Sequence, residues 1–182
     1  MKNAQLYAAS QPDKRPDQTV LGCIETLDQG YLFLENLTQE DYTYLAQPHV
    51  SSSIGEHFRH WLDLFYAIKL EPHHIDYNVR RRGHEVERNL HIAKQEIKEL
   101  SEWLFHLPNR ILSQSVAVET EVMLSQTHSK EVSSTLEREL TFAALHATHH
   151  FAMAKVVASL RGVTLDAKFG VAPATATYQR AQ

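Results

Sequence analysis

Residues 134–162, STLERELTFAALHATHHFAMAKVVASLRG, join a well-delimited helix to a chemical group, and the rest of the chain is read outward from them. Ser134 followed three residues later by Glu137 has the form of a capping box, Arg161 stands in the last turn, and Gly162 suits the left-handed residue that ends a helix. Inside lie His146, His149 and His150. Side chains at i and i+4 share a helix face with Cβ atoms about 5–6 Å apart. His146 and His150 can therefore reach one metal ion together, at nitrogen distances of about 2.0–2.1 Å. A polar helix face or a hydrogen-bonded core histidine gives the same letters, so the pair needs a partner elsewhere in the chain.

Length and composition bound the answer. At 182 residues, 43% hydrophobic and 22% charged, the chain reads as a single domain spanning residues 1–182 with a real core. The start, MKNAQLYAASQPDKRP, lacks an apolar core and no long apolar run follows, so neither signal peptide nor membrane span is expected. A cytoplasmic protein is the expectation. Eighteen Lys plus Arg against 22 Asp plus Glu, a formal net charge of -4, give no general attraction to nucleic acid or anionic lipid. The single cysteine, Cys23, excludes an intramolecular disulfide, suits a reducing compartment and reads as a small packing group. Twelve histidines are the anomaly, since histidine is the commonest metal ligand.

Residues 1–16 are polar, carry Pro12 and Pro16, and read as a loose lead-in. Asp17 then caps a first helix whose stripe is Val20, Ile24, Leu27, Tyr31 and Leu34, with Gly22 and Gly30 as weak points. Thr38 to Ala46 reads as a short helical turn. Ser51 to Ser53 cap a second helix with Ile54, Phe58, Trp61, Leu62, Phe65 and Ile68 on its apolar side, ended by Pro72. An irregular polar connection containing Arg80, Arg81 and Arg82 follows. Asn89 caps a third helix with Leu90, Ala93, Ile97, Leu100, Leu104 and Leu107 at nearly strict spacing, up to Pro108. Val116, Val118, Val122 and Leu124 partly alternate and predict one or two short extended segments. After Gly162, residues 163–182 show no helical period. Four long helices predict an all-α four-helix bundle over about residues 17–162, with an irregular tail.

In such an arrangement a metal site is built from facing helices, so the third ligand is sought on the second helix, which offers His60 and, one turn earlier, His57. Three imidazoles leave open coordination positions, the mark of a reactive rather than a closed site. Without cysteine ligands, residue types do not choose among zinc, nickel, cobalt and iron. Asp63 stands three residues after His60, where it can orient an imidazole, act as a catalytic base or simply be salt-bridged. Arg80 and Arg82 suit the carboxylates of a bound thiol cofactor or an acidic substrate, or else pair with Asp76, Glu85 and Glu87. The remaining histidines lie in loops or on polar faces, and Trp61, Phe65, Trp103 and Phe142 sit at core-like spacings.

The segments SIGEHFRHWLD (residues 53–63) and HATHHFA (146–152) resemble the two histidine motifs of the DinB-like superfamily, and DYNVRRRG and FGVAPAT resemble an uncharacterised branch of it. The resemblance covers residues 17–162, but its specific part is these two motifs. It implies a divalent metal held by His60, His146 and His150, with His57 and His149 as alternates outside the triad. It further implies a low-molecular-weight thiol as co-substrate, because the superfamily includes bacillithiol transferases and mycothiol-dependent maleylpyruvate isomerases. The expected function is metal-dependent thiol S-transfer to a small electrophile. A metal-dependent hydrolase or isomerase and a non-catalytic metal-binding stress-response module stand beside it, and a homodimer is compatible with all three.

Overall fold

The computed structural model describes residues 15–182, so the lead-in expected over residues 1–16 falls almost wholly outside the described residues. Six helices run as α1 (Gln18–Glu35), α2 (Gln39–Thr43), α3 (Ile54–Leu70), α4 (Leu90–Phe105), α5 (Leu136–Leu160) and α6 (Pro173–Arg180) among the described residues. Their starts are chemical. Asp17 accepts from the Thr19 amide at 2.8 Å, and Asn89 accepts from the amides of His91 and Ile92. Ser53 and Glu56 close a capping box at α3, with contacts of 3.2 and 2.7 Å. Each such cap satisfies amides that the helix itself leaves unpaired. For α5 the cap is Thr135, one residue later than the sequence suggested, and it accepts from the Arg138 amide. The Ser134 hydroxyl donates instead to Glu139 at 2.5 Å.

Helix α1 packs against α4 and α5, and α3 packs against α5 and α4. Their apolar stripes meet in one core that includes Val20, Leu27, Leu34, Phe58, Trp61, Phe65, Ile97, Leu100, Leu140 and Phe151. Fully burying an aliphatic or aromatic side chain of this kind contributes about 1.5–3 kcal/mol over leaving it in water. Trp61 stands at the centre, edge-on to Phe58, Phe65 and Phe151. Gly30 is the point of close approach on α1, since a Cβ there would lie 3.1 Å from the Phe151 ring and 3.3 Å from Trp61. What read as a weak point in the helix makes room for the aromatic centre.

The all-α expectation is overturned by a three-stranded mixed sheet, which makes this an α/β fold. Strands β1 (His74–Asp76), β2 (Ser115–Glu121) and β3 (Ser129–Thr135) lie in the order β1-β2-β3, with β1 parallel and β3 antiparallel to β2. The reason lies in the valines. Val116 and Val118 alternate inward and are buried, and Ile75 is buried opposite Val118. The period-2 pattern thus supplies one face of a sheet as well as a segment laid over helices. Strand β3, SKEVSST, carries no inward apolar set and forms an edge guarded by Lys130 and Glu131, and β1 is only three residues long. Neither announces itself in sequence.

The tail is also more ordered than expected. Phe169 stacks on Phe33 with ring centroids 4.1 Å apart and on Phe151 at 5.0 Å, and α6 follows with Pro173 in its first turn. Lys155 on α5 donates to the carbonyls of Ala167 and Phe169, which ties the tail back to the last long helix. Among the described residues, no helix is long and apolar enough to cross a membrane.

Candidate metal centre

Along α5 the buried residues Leu140, Ala143, Ala147, Phe151, Ala154 and Ala158 hold the helix against its neighbours. His146 and His150 flank that stripe at its half-buried edge. On α3, Phe58, Trp61 and Phe65 fix the core face, and His57 and His60 fall beside it. Packing of α3 on α5 turns the two edges toward one another. The result joins the three residues that the sequence singled out. His60 Nε2 lies 3.0 Å from His146 Nε2, and His150 Nε2 lies 3.0 Å from the same atom. One ligand nitrogen from each histidine falls within 4.8 Å of the others.

Two observations fit a cation at this point. An ion holding nitrogens at metal distance in tetrahedral directions separates them by roughly 3.3 Å, close to the spacing seen. Further, a ring nitrogen carries either one proton or one lone pair, so His146 Nε2 can make one good hydrogen bond but faces two nitrogens. A metal takes lone pairs from all three. The rings are neutral, the form that can offer a lone pair. Burial, then the Arg80 guanidinium and the neighbouring imidazoles, lower His60 to about 3. Burial and the surrounding histidines lower His150 to about 2, and His146 and His57 are shifted the same way.

The alternates separate. His57 Nδ1 lies 3.0 Å from His150 Nδ1, behind the triad, while its own Nε2 is buried without a partner among the described residues. His149 is exposed and contacts the others only through ring edges. Asp63 does not reach the triad through any hydrogen bond. Its two oxygens are taken by arginines: Oδ1 by Arg81 Nε at 2.6 Å, Oδ2 by the Arg81 amide at 3.1 Å and by Arg59 Nη1 at 3.4 Å. Arg81 continues as a two-pronged pair to Glu96 at 2.8 and 3.0 Å, and Arg59 reaches Glu87 at 2.7 Å. This network is mostly out of solvent, with the Asp63 side chain 4% exposed. Asp63 therefore anchors the connection after β1 to α3 and α4; none of the acids foreseen for Arg80 and Arg82 pairs with them among the described residues, and Glu87 is taken by Arg59 instead.

That anchoring places the neighbours of Arg81. Arg80 donates from Nε to the Tyr77 carbonyl, and its Nη1 meets the His60 ring at Nδ1 and, at 3.3 Å, Nε2. Arg82 is exposed and makes no ion pair among the described residues. Both line a cavity of about 310 Å³ with Asn78, Thr120 and the hairpin end Glu121 to Leu124. Sequence reasoning missed Arg59, Glu96 and Gly55 as builders of this site. Arg59 and Asp63 stand four apart on one helix face, which was a readable signal. Gly55 is required because a Cβ there would fall 2.0 Å from the Glu87 carbonyl oxygen, so the turn at Glu85–Glu87 lies directly on α3.

No family model and no solved structure matches the chain. It is similar to FK506-binding protein 5 of Rhizopus delemar, with 25% identity over 108 residues, which are 59% of this chain and 28% of that protein. The match thus spans less than a third of that protein's length.

Proposed function

We propose that the chain is a divalent-metal protein of DinB-like kind in which His60, His146 and His150 hold the ion and a small thiol is the group put to use. The observation that carries the reading is that His60 Nε2 and His150 Nε2 each lie 3.0 Å from His146 Nε2, with one ligand nitrogen of all three neutral rings within 4.8 Å of the others. Zinc, nickel, cobalt and iron all accept such a donor set. A divalent ion bound there would lower the pKa of a thiol at an open position and keep it nucleophilic at neutral pH.

The protein's own contributions are positional. Helices α3 and α5 fix the imidazoles, burial keeps them unprotonated, and Asp63, through Arg81, holds the connection that sets Arg80 beside His60. The thiol has to come from solution. Cys23 is buried, its pKa is pushed up to about 12 by burial, and its Sγ donates to the Leu140 carbonyl. Such a chemistry, and one unpaired buried cysteine, suit the cytoplasm.

Conjugation of a panel of thiols, glutathione and a bacillithiol-like thiol among them, to a generic electrophile tests this reading. Metal-loaded wild type is to be compared with His150→Ala and with chelated protein. The reading expects at least one thiol to react faster with the loaded wild type. If none does, transfer is excluded, and a metal-dependent hydrolase or isomerase or a non-catalytic metal-binding module takes its place.

A further inference from the structure

We propose that Arg80 and Arg82 form an acid-binding arm beside the histidine triad, so that the natural ligand carries a carboxylate or phosphate in addition to the group presented to the metal. The inference rests on the metal reading and names the substrate class for the same centre. Four arginines stand on α3 and the connection after β1, Arg80 in contact with the triad, and they divide cleanly. Arg59 and Arg81 are consumed by Asp63, Glu87 and Glu96. Arg80 makes no ion pair with a carboxylate among the described residues, and its Nη2 makes no hydrogen bond there. Arg82 likewise makes no ion pair with an acid among the described residues.

A half-buried guanidinium against an imidazole is costly unless something pairs with it. The three neutral imidazoles bring no negative charge, and a divalent ion would add two more positive charges within a few ångströms of Arg80. An anion lying between ion and guanidinium relieves that excess, and arginine's planar fork matches carboxylate and phosphate. The roughly 310 Å³ cavity gives the rest of the molecule a place. Asn78 and Thr120 offer polar contacts, and Val122, Met123 and Leu124 offer an exposed apolar wall. Glu121 also lines it and sets a limit, because it repels a second acid group at the hairpin end.

Cobalt(II)-loaded protein provides the test, through the sulfur-to-cobalt charge-transfer absorption on titration with two thiols of similar size, 3-mercaptopropionate and 3-mercaptopropan-1-ol. Charged hydrogen bonds to the arginines should make the acid bind about 10-fold or more tighter in the wild type. In Arg80→Gln/Arg82→Gln that advantage, read as the ratio of the two affinities within the same variant, should fall to near parity. Arg82→Gln alone, at an exposed position outside the buried network, should lose part of it. Competition by acetate against inorganic phosphate tells which acid group the arm prefers. Equal binding of the two thiols by the wild type, or an undiminished preference in the double variant, overturns the proposal and leaves the metal reading standing. Failure of the wild type to take up cobalt removes both.

Discussion

The Nδ1 atoms of His57 and His150 lie 3.0 Å apart, on the side of the His150 ring away from His146. With Nε2 of His150 engaged by an ion, its Nδ1 keeps the proton and donates to His57, which fixes both tautomer and ring orientation. With the metal bound as proposed, His57 would support a ligand and not replace one. His57→Ala should weaken metal affinity by about 10–100-fold while keeping one ion per chain. His60→Ala should lose tight binding altogether. The check is competition against a chromophoric chelator, and a His57 variant weaker than the His60 variant would move the ligand one turn along α3.

Asp63 and Glu96 grip the same guanidinium, Arg81, from α3 and α4. Removing either carboxylate leaves Arg81 its other partner on a side chain about a quarter exposed, so the cost falls below the roughly 3–5 kcal/mol of stranding a fully buried charge. Both Asp63→Asn and Glu96→Gln should lower the denaturation midpoint, and both should loosen the Arg80 connection. A base at Asp63 would give a different pattern. Activity per folded molecule would then collapse in Asp63→Asn and persist in Glu96→Gln, and measurement of stability and rate on the two variants separates the roles.

The histidines make metal-free stability depend on pH with a defined sign. In the unfolded chain imidazole titrates near 6.5, whereas His60 is lowered to about 3 and His150 to about 2 in the folded protein. Above 6.5 both states are neutral and these groups contribute no slope. As pH falls below 6.5 the unfolded chain binds protons that the folded chain refuses, so stability drops until the folded values are passed. Thermal melts of chelated protein between about pH 7 and pH 4.5 should show this loss, and His60→Gln/His150→Gln should flatten it. An equal slope in the variant would mean that other groups carry the acid sensitivity.

How far the sequence could be read depends on where each signal was carried. The helix caps at Asp17, Ser53 and Asn89 and the stripes of α1, α3 and α4 are local, and they stand where the letters put them. The i to i+4 spacing put His146 and His150 on one edge of α5, while on α3 it offered both His60 and His57, and it was the resemblance that singled out His60; the folded chain brings His60, His146 and His150 together. The sheet was hidden for the opposite reason. Strand β3 is polar except for the exposed Val132 and is held by pairing with β2, a contact that its own residues do not encode. Gly55 and Glu96 are likewise silent in sequence, since their roles exist only once the Glu85–Glu87 turn and α4 are folded against α3.

Metal analysis of protein purified without an affinity histidine tag tests the central claim most directly. The account predicts one divalent ion per chain in the wild type and none retained in His146→Ala/His150→Ala, with helical content unchanged because the apolar stripes do not depend on the ion. Stoichiometric metal in that double variant, or none in the wild type after exposure to zinc, nickel, cobalt and iron, would contradict it.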